Sequence, residues 1–220
     1  MENNPTNPAE NPSSGSGQNV VNEVKSFYKN DFKKIFTSLF REPIDGLYNL
    51  FKEPGEKALT HALIIFASAY LTYLVGFKLL IWKVDLDEFF VASLWPVVVM
   101  FLLSIISFII KSFSVKADFN TELLTGAVAG VPLMLLMPIL LIVKLLFSDE
   151  KLAKMVLYGR FGDMGVLWFL IMLYILIMMF NVFKQSLSAS GVKQNVSFYI
   201  SPAAVMLALY ISYKIFSELM

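Results

Sequence analysis

Cysteine is absent from the 220-residue chain. Its absence excludes disulfides, iron–sulfur clusters, thiolate zinc sites and cysteine nucleophiles together. Histidine occurs once, at His61, so no H-E-x-x-H metal helix can be written. A phosphate-cradling glycine loop and a nucleophile elbow are missing as well. Excess charge of either sign is also lacking, since 18 basic residues face 17 acidic ones. The electrostatic footprint of a nucleic-acid partner and the acidic bias of a solvating tail are therefore both missing. These gaps argue against a conventional enzyme, and no cofactor is implied.

What the chain has in quantity is hydrophobic residues, 57% of all positions, well above the roughly half-apolar makeup of soluble domains. They gather in five stretches, 58–81, 89–110, 123–147, 164–183 and 196–216. Each is close to the ~20 residues a helix needs to cross a hydrocarbon core. Backbone groups cannot go unpaired in lipid, and strand-like alternation is missing, so all five read as helices. The expected fold is all-α, a polytopic membrane bundle over 58–217 with no loop long enough for a soluble domain. Charges fall in the connections: Lys83, Asp85, Asp87 and Glu88 in the first, Lys111, Lys116, Asp118 and Glu122 in the second.

Met1 to Gln18 is rich in Asn, Pro, Ser and Gly and has neither a basic n-region nor an apolar h-region. Residues 1–19 thus read as a polar disordered tail rather than a secretory signal, and the first internal apolar segment is expected to direct insertion. Five spans put the termini on opposite sides. With the N-terminus inside, Lys and Arg number eleven inside against seven outside, which places the N-terminus in the cytoplasm.

Residues 20–57 form the amphipathic lead-in. Val21, Val24, Tyr28, Phe32, Ile35 and Leu39 recur at three- and four-residue spacings, with Lys25, Lys29 and Lys33 running beside them at i, i+4. Such a basic helix can lie on an anionic leaflet, or pack against the protein's own loops, since either environment buries the same stripe. Leu39-Phe40-Arg41-Glu42-Pro43 is echoed by Leu50-Phe51-Lys52-Glu53-Pro54. The prolines punctuate two short juxtamembrane helices, the second over 43–51 with Ile44, Leu47, Tyr48 and Phe51 on one face.

Within the spans, three features could carry function. Gly126 and Gly130 give the third span a small-residue face, while Pro132 and Pro138 each remove a backbone hydrogen bond and predict a kink. A close helix crossing explains these residues; a broken transport helix, with the carbonyls of Val128 and Met134 freed, is the alternative. His61 lies one turn into the first span, where hydrogen bonding to headgroups or to a neighbouring helix is expected. Lys144, three residues from the end of the third stretch, should snorkel. The Asp85, Asp87, Glu88 cluster reads as a solvated loop.

The entry segment Arg41-Glu-Pro-Ile-Asp-Gly-Leu47, five clustered spans, a proline-bearing third span and Ser186-Leu-Ser-Ala-Ser-Gly191 between the last two together resemble the Yip1 domain family, especially its short bacterial members. The resemblance covers roughly Phe36 to Phe216. It implies a multi-pass protein of the cytoplasmic membrane with a role in membrane organisation or trafficking. Eukaryotic members carry an Asp-x-x-Gly-Pro-like motif before the first span; here that place reads Glu53-Pro54-Gly55-Glu56-Lys57, so Rab-type binding is not carried onto this chain. The expected function is a non-enzymatic scaffold whose partners are the lipid bilayer and other membrane proteins or a second copy, with a small-solute or ion transporter as the alternative.

Overall fold

A computed structural model of the chain describes residues 15–55, 57–80, 86–113, 117–146 and 163–219. Among these, all regular structure is helical. The lead-in comprises α1 (Gly15–Ser26), a π-helical turn over Phe27–Asp31, α2 (Phe32–Phe40) and α3 (Asp45–Lys52). The bundle follows as α4 (Ala58–Leu80), α5 (Leu86–Ser93), α6 (Trp95–Ser112), α7 (Phe119–Met134), α8 (Leu136–Leu146), α9 (Asp163–Ala189) and α10 (Gln194–Leu219). Five helical units are long and apolar enough to span a membrane: α4, α6, α7 with α8, α9 and α10. At 1.5 Å per residue even the 18-residue α6 covers about 27 Å, close to the hydrocarbon thickness.

The third span, α7 continued by α8, is the centre of the bundle. Of its most apolar window 61% is buried, against 22–39% in the other four. The first and second spans pack along it to about the same extent and the fourth less, and α10 closes the outside against α6 and α9. The small residues explain why this span is innermost. A β-carbon added at Gly126 would overlap Ser104 Oγ and the Met100 carbonyl oxygen, and one at Gly130 would overlap the Met100 side chain. Absent side chains let the second and third helix backbones approach closely, the usual route to tight packing in lipid.

The predicted kink falls at Leu135, between the two prolines. There the regular ladder gives way to a Leu135 N–H bond to the Pro132 carbonyl oxygen (3.2 Å), and the chain resumes as α8. A second break was not anticipated: the stretch 89–110 divides at Leu94 into α5 and α6. Pro96 lies in the first turn of α6, where its missing N–H costs nothing, so it starts a helix rather than sitting inside one.

α1 begins at Gly15, inside the stretch assigned to the tail, and residues 1–14 lie outside the described ones. Beyond it, the lead-in stripe is rearranged. Phe27, Ile35 and Leu39 are buried, whereas Val21 and Tyr28 are 52% and 44% exposed. The π turn is the cause. One extra residue in a turn sets the register back by about 100°, which brings Phe27 rather than Tyr28 onto the face carrying Ile35. α3 keeps the expected face, with Leu47 and Phe51 buried, but Ile44 lies outside the helix and is exposed. α3 packs on the fourth span, where Asn181 donates to the Pro43 carbonyl oxygen at 2.6 Å.

The segment Ser186–Gly191, read as a link between the last two spans, is instead the final helical turn of α9 and its terminator. Gly191 has φ of 91°, Val192 N–H bonds to Leu187 O (3.2 Å) and Gly191 N–H to Ser188 O (3.0 Å). These paired bonds and the left-handed residue after the helix are the Schellman arrangement, which favours glycine.

Candidate functional site

The second and third spans meet across residues 113–118. Asp118 ends that connection by capping α7: its Oδ2 accepts from Thr121 N–H (3.1 Å) and from Thr121 Oγ1 (2.9 Å). The cap fixes the first turn so that Glu122, the next residue, is drawn into the bundle. Lys111, one residue before the end of α6, faces it. Lys111 Nζ lies 2.9 Å from Glu122 Oε1 and 2.8 Å from Oε2, and donates to Ser186 Oγ on α9 at 2.8 Å. Ser107 donates to Glu122 Oε2 at 2.6 Å, and the hydroxyls of Thr125 and Ser186 are 2.7 Å apart. Three spans thus converge on one ion pair, with Lys111 1% and Glu122 2% exposed.

Both charges are placed where helix dipoles favour them, the carboxylate in the first turn of α7 and the ammonium in the last turn of α6. Opposite signs, a forked contact and three hydroxyls offset the cost of taking the two ions out of water. This corrects the assignment of Lys111 and Glu122 to the second connection: each lies within a span helix and is buried. Lys111 and Glu122 each fall just outside the apolar runs, which end at Ile110 and begin at Leu123. The spacing held a signal nonetheless: Ser107 and Lys111 share one face at i, i+4, and Glu122 and Thr125 share another at i, i+3.

The third-span candidates are accounted for within the chain. Gly126 and Gly130 are in contact with the second span, so that face is internal rather than free for a partner. Pro132 and Pro138 flank the break, and the carbonyl met there by another helix is that of Leu133, which accepts from the buried Tyr73 hydroxyl of the first span at 3.0 Å. Lys144 donates to the carbonyls of Leu79 (3.0 Å) and Leu80 (2.8 Å), capping the C-terminus of the first span instead of merely reaching for water.

At the lead-in end, Lys25, Lys29 and Lys33 are all exposed, while the apolar side of the same helix is docked on the bundle. Of the predicted stripe Ile35 and Leu39 pack on the protein, joined by Phe27, while Val21 and Tyr28 stay exposed along with the lysines. His61 Nε2 is 3.3 Å from Asp31 Oδ2 and its ring lies 5.0 Å from that of Phe27, so a neighbouring helix engages it. Asp31, Lys34, Glu53 and His61 line a small pocket of about 170 Å³. Asp85 and the side chains of Asp87 and Glu88 lie outside the described residues. Among the described residues no group of three His, Asp or Glu side chains is arranged to hold a metal ion.

Comparison with protein-family models, with curated proteins and with solved structures returns no match to this chain.

Proposed function

We propose that this chain is a non-enzymatic membrane protein that organises lipid and other membrane proteins around a rigid five-helix bundle. The carrying observation is the split lead-in, whose apolar residues Phe27, Ile35 and Leu39 are anchored while Lys25, Lys29 and Lys33 point away from the protein. An anchored row of lysines is a fixed electrostatic surface, worth about 1 kcal/mol per basic residue near an anionic leaflet. The N-terminus is then cytoplasmic, in the inner membrane of a bacterium, in keeping with the eleven Lys and Arg on that side against seven on the other. The resemblance to the Yip1 domain family points to the same kind of role. Because Gly126 and Gly130 are used internally, pairing with another protein or a second copy falls to the outward faces of the fourth and fifth spans.

The test replaces Lys25, Lys29 and Lys33 together by Glu. Retention of acidic lipid and of co-purifying membrane proteins should fall; full retention of both would sink the proposal.

A transporter is the second reading, and one observation favours it: ionisable residues buried within spans often mark ion or proton pathways, and Lys111 and Glu122 are such a pair. Flux across proteoliposomes, compared between the native chain and Pro132→Ala or Glu122→Gln, separates the two readings. Solute flux that these substitutions abolish would replace the scaffold with a transporter.

A further inference from the structure

We infer that α1 is an arm hinged at the π turn: docked along the first span here, it swings out in a bilayer to the membrane surface at the end where that span starts. The lead-in runs antiparallel to α4. Asp31 meets His61 near the start of the span, the Tyr28 hydroxyl bonds to that of Ser68, and Glu23 and Val24 share a groove with Leu71. Ser68 is ten residues beyond Ala58, about 15 Å along a helix that crosses a hydrocarbon core roughly 30 Å thick. The docked α1 therefore continues from mid-depth toward the far side of the membrane.

α1 is too polar for that place. The flank of α4 beside it faces lipid, with Leu63, Leu71 and Val75 all more than half exposed. Asn22 and Lys25 are exposed on α1 and Glu23 is only partly buried. Hydrocarbon offers no partner to an amide or to either charge, and ionisable groups at such depth are kept where they face protein, water or one another. From Val21 to Ser26 no side chain is buried, and α1 packs chiefly on the π turn itself. Past the turn the lead-in is held: Phe27, Ile35 and Leu39 are buried, and α3 packs on the fourth span. The π turn over Phe27–Asp31 divides the free part from the held part, and single π turns are where helices bend. Docked, the arm overhangs the strip Leu63, Ala67 and Leu71; swung out, it opens that strip to lipid and carries Lys25 to the surface. The inference rests on depth and polarity and does not require the lysine row to recruit lipid.

The experiment places the full chain in sealed vesicles of one orientation and labels Asn22→Cys, Ser38→Cys, Glu53→Cys and Ser217→Cys, one at a time, with a membrane-impermeant maleimide. Glu53→Cys and Ser217→Cys, exposed at opposite ends of the bundle, mark the two faces. Asn22→Cys should label from the Glu53→Cys face at a comparable rate, and Ser38→Cys, buried in α2, should stay unlabelled. Spin labels on Val21→Cys and Val75→Cys, both exposed, should lie on the order of 10 Å farther apart in the bilayer than in the docked arrangement, the reach of a short helical arm turned outward. Asn22→Cys that labels only after detergent is added, or from the Ser217→Cys face, leaves the arm docked and overturns the inference. A docked spacing of the two spin labels in the bilayer overturns it as well. Labelling of Ser38→Cys alongside Asn22→Cys overturns the hinge, because the whole lead-in would then have left the bundle.

Discussion

Removing one partner of the Lys111–Glu122 pair gives the sharpest test of how the bundle is held. In Glu122→Gln the ammonium of Lys111 stays buried, still bonded to Ser186 but facing a neutral amide. At 2.8 Å and an effective dielectric of about 20, the lost attraction is roughly 6 kcal/mol before solvation is counted. Breaking one side of a buried pair costs about 3–5 kcal/mol in net terms. With roughly 2–4 °C lost per kcal/mol for a chain of this size, the melting temperature in detergent should fall by about 6–20 °C. Lys111→Met should fall comparably, since it strands the carboxylate. Lys111→Met combined with Glu122→Leu should recover most of the loss, because no charge is left behind. Size-exclusion after heating, or tryptophan fluorescence, reads all three. Glu122→Gln melting within about 2 °C of the native chain would refute the reasoning, since a penalty below 1 kcal/mol belongs to a solvated pair. A double variant as unstable as the two singles summed would refute it differently, by showing that the charges act independently.

Three further outcomes follow from the packing. Gly126→Ala should destabilise by about 1–3 kcal/mol and Gly130→Ala by distinctly less, because the first overlaps the Met100 backbone and the second only its flexible side chain; equal melting temperatures would contradict the crossing. Tyr73→Phe leaves the Leu133 carbonyl without its hydroxyl partner and should cost about 1 kcal/mol, seen as a lower midpoint in thermal denaturation. Gly191→Ala forces a β-carbon into a left-handed residue and should cost about 1–2 kcal/mol, measured as earlier loss of monodisperse protein on heating.

Hydropathy made the five spans legible, because lipid allows so few backbone solutions that long apolar runs need no tertiary information. Proline made the Leu135 kink legible, though not the start of α6 at Trp95: a proline at 96 reads equally well as an interior or a first-turn residue until the neighbouring helix is placed. The lead-in stripe was misread at Tyr28 because periodicity assumes 3.6 residues per turn, and the π turn breaks that assumption locally. The ion pair was hidden for a different reason. Lys111 and Glu122 look like loop charges, and only the Asp118 cap and the docking of Ser186 from a distant span turn them inward. Long-range pairing of that kind leaves no mark on a hydropathy profile. Lys144 shows the same limit, since its partners on Leu79 and Leu80 come from another span.

The account rests on a bundle of five spans whose lead-in, second connection and fourth connection share one side. The chain contains no cysteine, so single cysteines can be placed without background. Glu53→Cys, Asn120→Cys and Gln194→Cys all stand at exposed positions at the end of the bundle where the first span starts, and Ser217→Cys is exposed at the other. Labelling with a membrane-impermeant maleimide, in sealed vesicles of one orientation, should modify the first three together and Ser217→Cys only from the opposite face. Labelling of Glu53→Cys and Ser217→Cys from the same face would contradict the five-span bundle.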